Sequence, residues 1–278
     1  MASSYSLFAS DFDLTLAPLP GSEISPRTRR ALMRLQSAKI PLVIATGRSG
    51  GGVRHHFSRF DIPLNGVYVC AFNGSEIYSA WDNTLLCHAG FSGDLAQQVA
   101  RLAGEFDIDV IAQKGDTAYM RPYREGADKE LWSHGMEVVD LDHYSIAEIE
   151  PSKIFLIGKH DELERAQAAL REAFPDDVEV MFSADVLMEV NRKGVNKGDG
   201  LAFMCDYLGV DPACTIAFGD NGNDVPLLKA AGLGVAVANA VPEALEAADR
   251  ITASCEEDGV ARVVEEVFAE LFTGDVRP

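Results

Sequence analysis

Two carboxylates one residue apart, Asp11 and Asp13, stand in Ser10-Asp11-Phe12-Asp13-Leu14-Thr15-Leu16, directly after the apolar run 5–9. That run reads as a buried strand, and a strand alternates faces with period two, so both acids leave it on the same side. A pair of this kind repels itself unless a cation lies between. A hard divalent ion such as Mg²⁺ suits the position, because it takes oxygen ligands and keeps waters for a phosphate. The other reading is a strand that ends in a polar turn, with Asp and Thr chosen for turn chemistry. On these residues alone both readings stand.

Further polar motifs follow other apolar runs. Thr46-Gly47-Arg48 closes 41–45, Asn73-Gly74 closes 67–72, and Asp220-Asn221-Gly222-Asn223-Asp224 follows 215–218, while Lys197 precedes a helical stretch. Each alone is ordinary turn or surface chemistry. Together they are complementary, since phosphate-ester hydrolysis needs charge neutralisation and positioning. Mg²⁺ held by Asp11, Asp220 and a backbone carbonyl would supply charge. Lys197, the Thr46 hydroxyl and nearby backbone N–H groups would hold phosphate oxygens. Asp11 could attack phosphorus. Asp13 could protonate the leaving oxygen and then deprotonate water. An acid needs a raised pKa, so Asp13 is expected to be poorly paired with cations and Asp11 well paired. Arg48 and Asn73, at strand ends beside the reacting groups, are the next candidates for substrate contact, although Arg48 could instead brace the loop through a carboxylate.

The elements that must position these groups alternate strand and helix. Ser25-Pro26 has the form of a helix cap with proline at the first position. Gly50-Gly51-Gly52 reads as a flexible entry to a second helix. Fully apolar strands in this alternation predict a parallel, doubly wound sheet, whose ligands bind outside the carboxyl ends of the strands. The pattern then changes to a hairpin turning at Asp82-Asn83 and an α+β segment that includes a helix over 125–133. Doubly wound grammar resumes with helices at 198–208, 223–231 and 258–272. The expected architecture is α/β: a Rossmann-like core from 1–84 and 191–278, interrupted by an inserted α+β domain at 85–190.

The chain has 278 residues, and its net charge of −19 argues against nucleic acid and anionic membrane surfaces as partners. No signal peptide and no transmembrane run is expected. Five dispersed cysteines without a CxxC read as reduced thiols of a cytoplasmic protein. His55-His56 lacks chelating spacing. The expected state is a monomer, with a homodimer as the alternative.

These motifs resemble the haloacid dehalogenase superfamily, specifically its Cof-type sugar-phosphatase-like branch with a large α/β cap of type C2B, and the resemblance spans the chain. The matching residues are Asp11-Phe12-Asp13-Leu14-Thr15-Leu16, Thr46-Gly47-Arg48, Lys197 and Gly219-Asp220-Asn221-Gly222-Asn223-Asp224, with Phe72-Asn73-Gly74 and Glu257-Asp258-Gly259-Val260 as further similarities. The resemblance implies Asp11 as nucleophile and Asp13 as acid/base and backbone metal ligand. It implies Asp220 as metal ligand, Asn223 and Asp224 as site-shaping residues, and Thr46 and Lys197 as phosphate binders. The metal set is then Asp11, Asp13, Asp220 and Asp224, and the phosphate or substrate set Thr46, Gly47, Arg48, Asn73, Lys197 and Asn223. The family most often has Gly where this chain has Leu14, so a slightly altered loop is expected there. The implied activity is Mg²⁺-dependent hydrolysis of small phosphate monoesters, sugar phosphates above all, with the inserted domain closing over the crevice and choosing the leaving group. A sugar phosphomutase is the alternative enzyme. A phospho-accepting signalling module is the non-enzymatic alternative, disfavoured because Asp13 is placed to hydrolyse the aspartyl-phosphate. Inserted-domain candidates for substrate contact are Asp116, Tyr119, Arg121, Arg124 and Lys153.

Overall fold

A computed structural model describes residues 5–18, 23–121 and 136–273. The chain opens with strand β1 (Leu7–Ser10), buried at every position. Helix α1 (Pro26–Ser37) begins where the Ser25 hydroxyl accepts from the Thr28 amide, with proline in the first turn. Strand β2 (Leu42–Ala45), helix α2 (Gly50–Arg59) and strand β3 (Val67–Ala71) complete the first alternation. A hairpin of β4 (Glu76–Ser79) and β5 (Leu85–His88) follows. The next stretch runs α3 (Gly93–Ala103), β6 (Ile108–Lys114), β7 (Thr117–Met120), β8 (Glu137–Asp140), α4 (Ile146–Ile149), β9 (Lys153–Gly158), α5 (His160–Ala173), β10 (Val178–Ala184) and β11 (Leu187–Arg192). The alternation then resumes with α6 (Lys197–Leu208), β12 (Thr215–Gly219), α7 (Val225–Ala230), β13 (Leu233–Ala236), α8 (Pro242–Ala247), β14 (Arg250–Ile251) and α9 (Gly259–Val267).

Two compact units result, Met1–Leu86 with Asn196–Pro278 and, between them, Cys87–Val195. The discontinuous unit carries an eight-stranded sheet ordered β14-β13-β12-β1-β2-β3-β4-β5. Pairings from β14 across to β3 are parallel, and β4 joins β3 antiparallel. The six parallel strands follow the doubly wound order in which the chain reverses direction between the first strand and the fourth. Here that reversal lies between β1 and β12, which pair in register from Leu7↔Thr215 to Ser10↔Phe218. The continuous unit carries a six-stranded sheet, β10-β11-β9-β6-β7-β8, antiparallel except for β7 with β8. Helices α3 and α5 pack on it over a core that includes Ala96, Val99, Ile154, Leu156, Leu163 and Val190.

Several expectations need correction. Gly50, Gly51 and Gly52 do not form a flexible entry; they are the first turn of α2, capped by Ser49, whose hydroxyl accepts from the Gly52 amide. Gly50 packs closely as well, since a Cβ there would stand 3.2 Å from the Tyr78 ring. The helix expected at 223–231 is a 3₁₀ turn over Gly222–Asp224 followed by α7. Strand β11 runs past residue 190 because its pairing with β10 continues to Arg192. The helix expected over 125–133 and Arg124 lie outside the described residues. All five cysteines are free thiols. No helix among the described residues is long and apolar enough to cross a membrane.

Candidate active site

The switch point between β1 and β12 places Asp11 and Asp220 at adjacent strand ends. The Asp11 amide donates to the Phe218 carbonyl (2.9 Å), which carries the β1–β12 ladder up to the first acid. Lys197, the first residue of α6 and only 1% exposed, donates from Nζ to Asp11 Oδ1 (2.5 Å) and to Asp224 Oδ1 (2.6 Å). Asn196 caps that helix by accepting from the Gly198 and Asp199 amides, which fixes where the lysine enters. Asp224 Oδ2 accepts from the amides of Asp220 (2.9 Å) and Asn221 (3.0 Å). This tight turn needs Gly219, because a Cβ there would come within 2.5 Å of the Asp224 Cβ. Both oxygens of Asp224 are therefore engaged, and the residue ties the 220–224 loop to Lys197.

Ligand atoms of Asp11, Asp220 and Asp224, one from each, all lie within 4.8 Å of one another, and all three residues are buried. Thr15 Oγ1 donates to Asp220 Oδ1 (2.6 Å). Burial pushes the Asp11 carboxyl well above its usual range, the neighbouring acids add to this, and Lys197 opposes it. Burial likewise raises Asp220, to about 6, against the Thr15 hydrogen bond and with Asp224 adding to the rise. Burial works against charge on Lys197, but Asp11 and Asp224 outweigh it and raise its pKa. Three carboxylates thus share one ammonium, and the uncompensated negative charge on hard oxygen donors fits a divalent cation.

That charge has a measurable consequence. An acid whose folded pKa lies above its ordinary 3.8 takes up protons on folding, so its stabilising contribution is present at low pH and lost as pH rises through the folded value of about 6. In chelator, the melting temperature is expected to fall between about pH 5 and about pH 7, and added Mg²⁺ should raise it more at the upper end than at the lower. A flat or rising profile in chelator would contradict the charge assignment.

Asp13 is not where its expected chemistry put it. Arg48 holds it as a fork, with Nε donating to Oδ2 and Nη2 to Oδ1, both at 2.6 Å. The acid expected to be poorly paired with cations is instead paired by a bidentate guanidinium, because the loop after β1 and the Thr46-Gly47-Arg48 turn end on neighbouring strands. The Asp13 carboxylate also lies outside the cluster of three. Behind Arg48, Nη1 donates toward His56 Nε2 (3.4 Å), and burial, reinforced by the guanidinium charge, pushes the His56 pKa down. A neutral ring keeps that nitrogen an acceptor.

The remaining candidates gather at the β2 and β3 ends. Thr46 Oγ1 accepts from the Arg48 amide (3.1 Å), which leaves its hydroxyl hydrogen free to donate. The Asn73 amide donates to the Thr46 carbonyl (2.9 Å), and Asn73 Oδ1 accepts from Asn223 Nδ2 (3.0 Å). That link spans 150 residues and joins two predicted substrate contacts, which occupy one another here. A left-handed run aims the Asn73 side chain, with φ of 49° at Phe72, 57° at Asn73 and 102° at Gly74. Gly74 is required, since a Cβ would lie 2.5 Å from the Asn196 carbonyl oxygen. A Cβ on Gly47 would meet the Asn73 amide at 3.5 Å, so the two turns nearly touch.

Leu14, the departure noted in the sequence, sits at φ 60°, a conformation a branched-chain residue adopts at a cost. Its amide donates to the Ala17 carbonyl (2.7 Å) and its carbonyl accepts from Asn239 (2.9 Å), so the surroundings hold the turn. The side chain is 37% exposed and gives back little by burial. Leu14→Gly is expected to stabilise the fold by about 1 kcal/mol, read as a higher urea midpoint at unchanged slope. A lower midpoint would mean that Leu14 packing outweighs the strain.

A model of the haloacid dehalogenase-like hydrolases matches residues 8–264. The chain belongs to this family. Among relatives of these hydrolases, it is 31% identical to a Haemophilus influenzae protein named "Putative phosphatase", over 96% of this chain and 99% of that protein. It is 26% identical to the 5-amino-6-(5-phospho-D-ribitylamino)uracil phosphatase YitU of Bacillus subtilis, over 95% of this chain and 97% of that one. The crystal structure of a haloacid dehalogenase-like hydrolase from Bacteroides thetaiotaomicron is similar to it with a TM-score of 0.84 at 26% identity, over 95% of this chain and all of the other. Family membership makes the chain a hydrolase with a parallel-sheet α/β core. Sequence reasoning passed over Thr15 and His56. The hydroxyl of Thr15, inside the motif that carries Asp11 and Asp13, is the signal that could have found the first; nothing in the sequence marks His56 as a partner of Arg48.

Proposed function

We propose that the protein is a Mg²⁺-dependent phosphatase that hydrolyses small phosphate monoesters through an aspartyl-phosphate on Asp11. The observation that carries this reading is the Lys197 bridge between Asp11 and Asp224 beside a second, differently bound acid, Asp220. Mg²⁺ held by Asp11, Asp220 and the Asp13 carbonyl would supply charge neutralisation on the transferring phosphoryl group. The chain's own residues do the rest. Lys197 favours the ionised form of Asp11 and draws a phosphate oxygen toward it. Thr46 donates its free hydroxyl hydrogen, and the Gly47 amide and the Asn73 and Asn223 amides bind the other oxygens. Asp224 orders the loop that presents Asp220. Asp13 leaves the Arg48 fork carrying a proton for the leaving oxygen, then takes a proton from the attacking water.

Sugar phosphates and phosphorylated sugar alcohols are the proposed substrate class, supported by the phosphoribityl compound in the name of the relative YitU. The unit Cys87–Val195 is assigned the choice among them. The test is phosphate release across a panel of metabolite monophosphates, with and without Mg²⁺, using the native chain and Asp13→Asn. Release from sugar or polyol phosphates only with Mg²⁺ is the expected result. Because a phenolate leaves without a proton and an alkoxide does not, Asp13→Asn should cost about 10²–10⁴-fold on alkyl phosphates and much less on p-nitrophenyl phosphate. Equal loss on both leaving groups would remove the acid role from Asp13.

A further inference from the structure

The charge of this chain is unevenly placed. Residues 23–61 carry eight lysines and arginines against two carboxylates, Glu23 and Asp61, within a protein of net charge −19. Some of these cations are already committed: Arg27 pairs with Glu265 (2.5 Å), and Arg48 with Asp13. A groove of about 500 Å³ lies between α1 and the end of α2. Arg29, Arg30 and Arg34 line it together with Met33 and Ser37, and Phe60 forms its floor. Positions 30, 33, 34 and 37 recur at three- and four-residue spacing, which puts them on one face of α1.

The cations of the groove are held in different ways. Arg29 and Arg59 both lie over the Phe60 ring, each 5.6 Å from its centre. Arg30 is exposed and makes no hydrogen bond or ion pair among the described residues. Asp61 also lines the groove, one carboxylate against the three guanidiniums of Arg29, Arg30 and Arg34. Met33, 42% exposed, adds an apolar patch on the rim. The groove is separate from the acids around Asp11. Helix α2 starts beside Arg48 and ends before Phe60, and ten residues of helix span about 15 Å.

We propose that this groove binds a polyphosphate anion, a molecule with two or more linked phosphate groups, either a free diphosphate or the diphosphate of a nucleotide. Three guanidiniums on one wall offer paired N–H forks matched to successive phosphates, which one phosphate could not fill. The volume lies within the range of small-molecule sites. A nucleotide would in addition lay its base against Met33 and the outer face of Arg29.

Isothermal titration of the metal-free protein with methylenediphosphonate and with α,β-methylene-ADP tests this, since neither is a phosphate monoester. Saturable binding that weakens with added NaCl, and weakens at least tenfold in Arg30→Glu and in Arg30→Glu/Arg34→Glu, is the expected result. Tighter binding of the nucleotide analogue identifies a nucleotide as the source, and equal binding identifies free diphosphate. Far-UV circular dichroism confirms that each variant is folded, and Arg30→Glu alone changes only an exposed side chain. Absence of binding at millimolar ligand overturns the proposal. So does affinity that survives both charge reversals, because the anion would then sit at the Asp11 site.

Discussion

Asp11→Asn is expected to lower turnover of every substrate by about four orders of magnitude or more, with binding of substrate little changed. The amide is nearly isosteric, so the β1 end and its hydrogen bond to Phe218 persist, while the atom that would attack phosphorus loses its charge and nucleophilicity. The substitution also removes one of three buried carboxylates, so the metal-free variant should be as stable as the native chain or more stable near neutral pH. A kcat loss coupled to raised stability separates a missing nucleophile from a damaged fold. Activity within tenfold of native would remove Asp11 from the role proposed for it.

Lys197→Met is expected to damage both activity and stability. The ammonium is the sole cation in contact with Asp11 and Asp224 among the described residues, and both of these contacts are buried. Its loss leaves three carboxylates facing one another in a site that already raises the Asp11 and Asp220 pKa values. Removing one partner of a buried pair costs roughly 3–5 kcal/mol, or about 10 °C in melting temperature for a chain of this size. The deficit should shrink as pH falls and the acids protonate, and shrink again with added Mg²⁺. Turnover should drop about 10²–10³-fold even where Mg²⁺ restores the melting temperature, because a phosphate-oxygen contact is gone. A variant with native melting temperature at neutral pH in chelator would show that the lysine does not carry the balance of charge.

Much of the sheet was legible because its strands are fully apolar and each ends in polar residues. Those runs gave β1, β2, β3 and β12 to within a few residues. The strand-end rule also brought Asp11 and Asp220 together across some two hundred residues, since it depends on topology and not on nearness in sequence. What stayed hidden depends on local geometry that residue types do not encode. The Asp13–Arg48 fork stands beside a left-handed Leu14, which a β-carbon-bearing residue gives no reason to expect. The three glycines Gly50–Gly52 form a helical turn against their intrinsic preference, with Ser49 as the cap. Asp224, expected in the metal set and as a site-shaping residue, stands in the cluster of three, and its Oδ2 accepts from two backbone amides, a loop contact that residue types do not encode.

The place of β1 between β2 and β12 also shapes how the chain is made. While the polypeptide emerges from the ribosome, β1 can find β2 within the first 45 residues but must wait for residue 215 before its other edge is covered. At about 5–20 residues per second that wait lasts on the order of ten to forty seconds. The segment Cys87–Val195 is continuous and can complete its own core in the meantime. Asp11 and Asp220 are thus brought together only late in synthesis, and until then the open apolar edge of β1 exposes a nascent chain to chaperones and to misassociation.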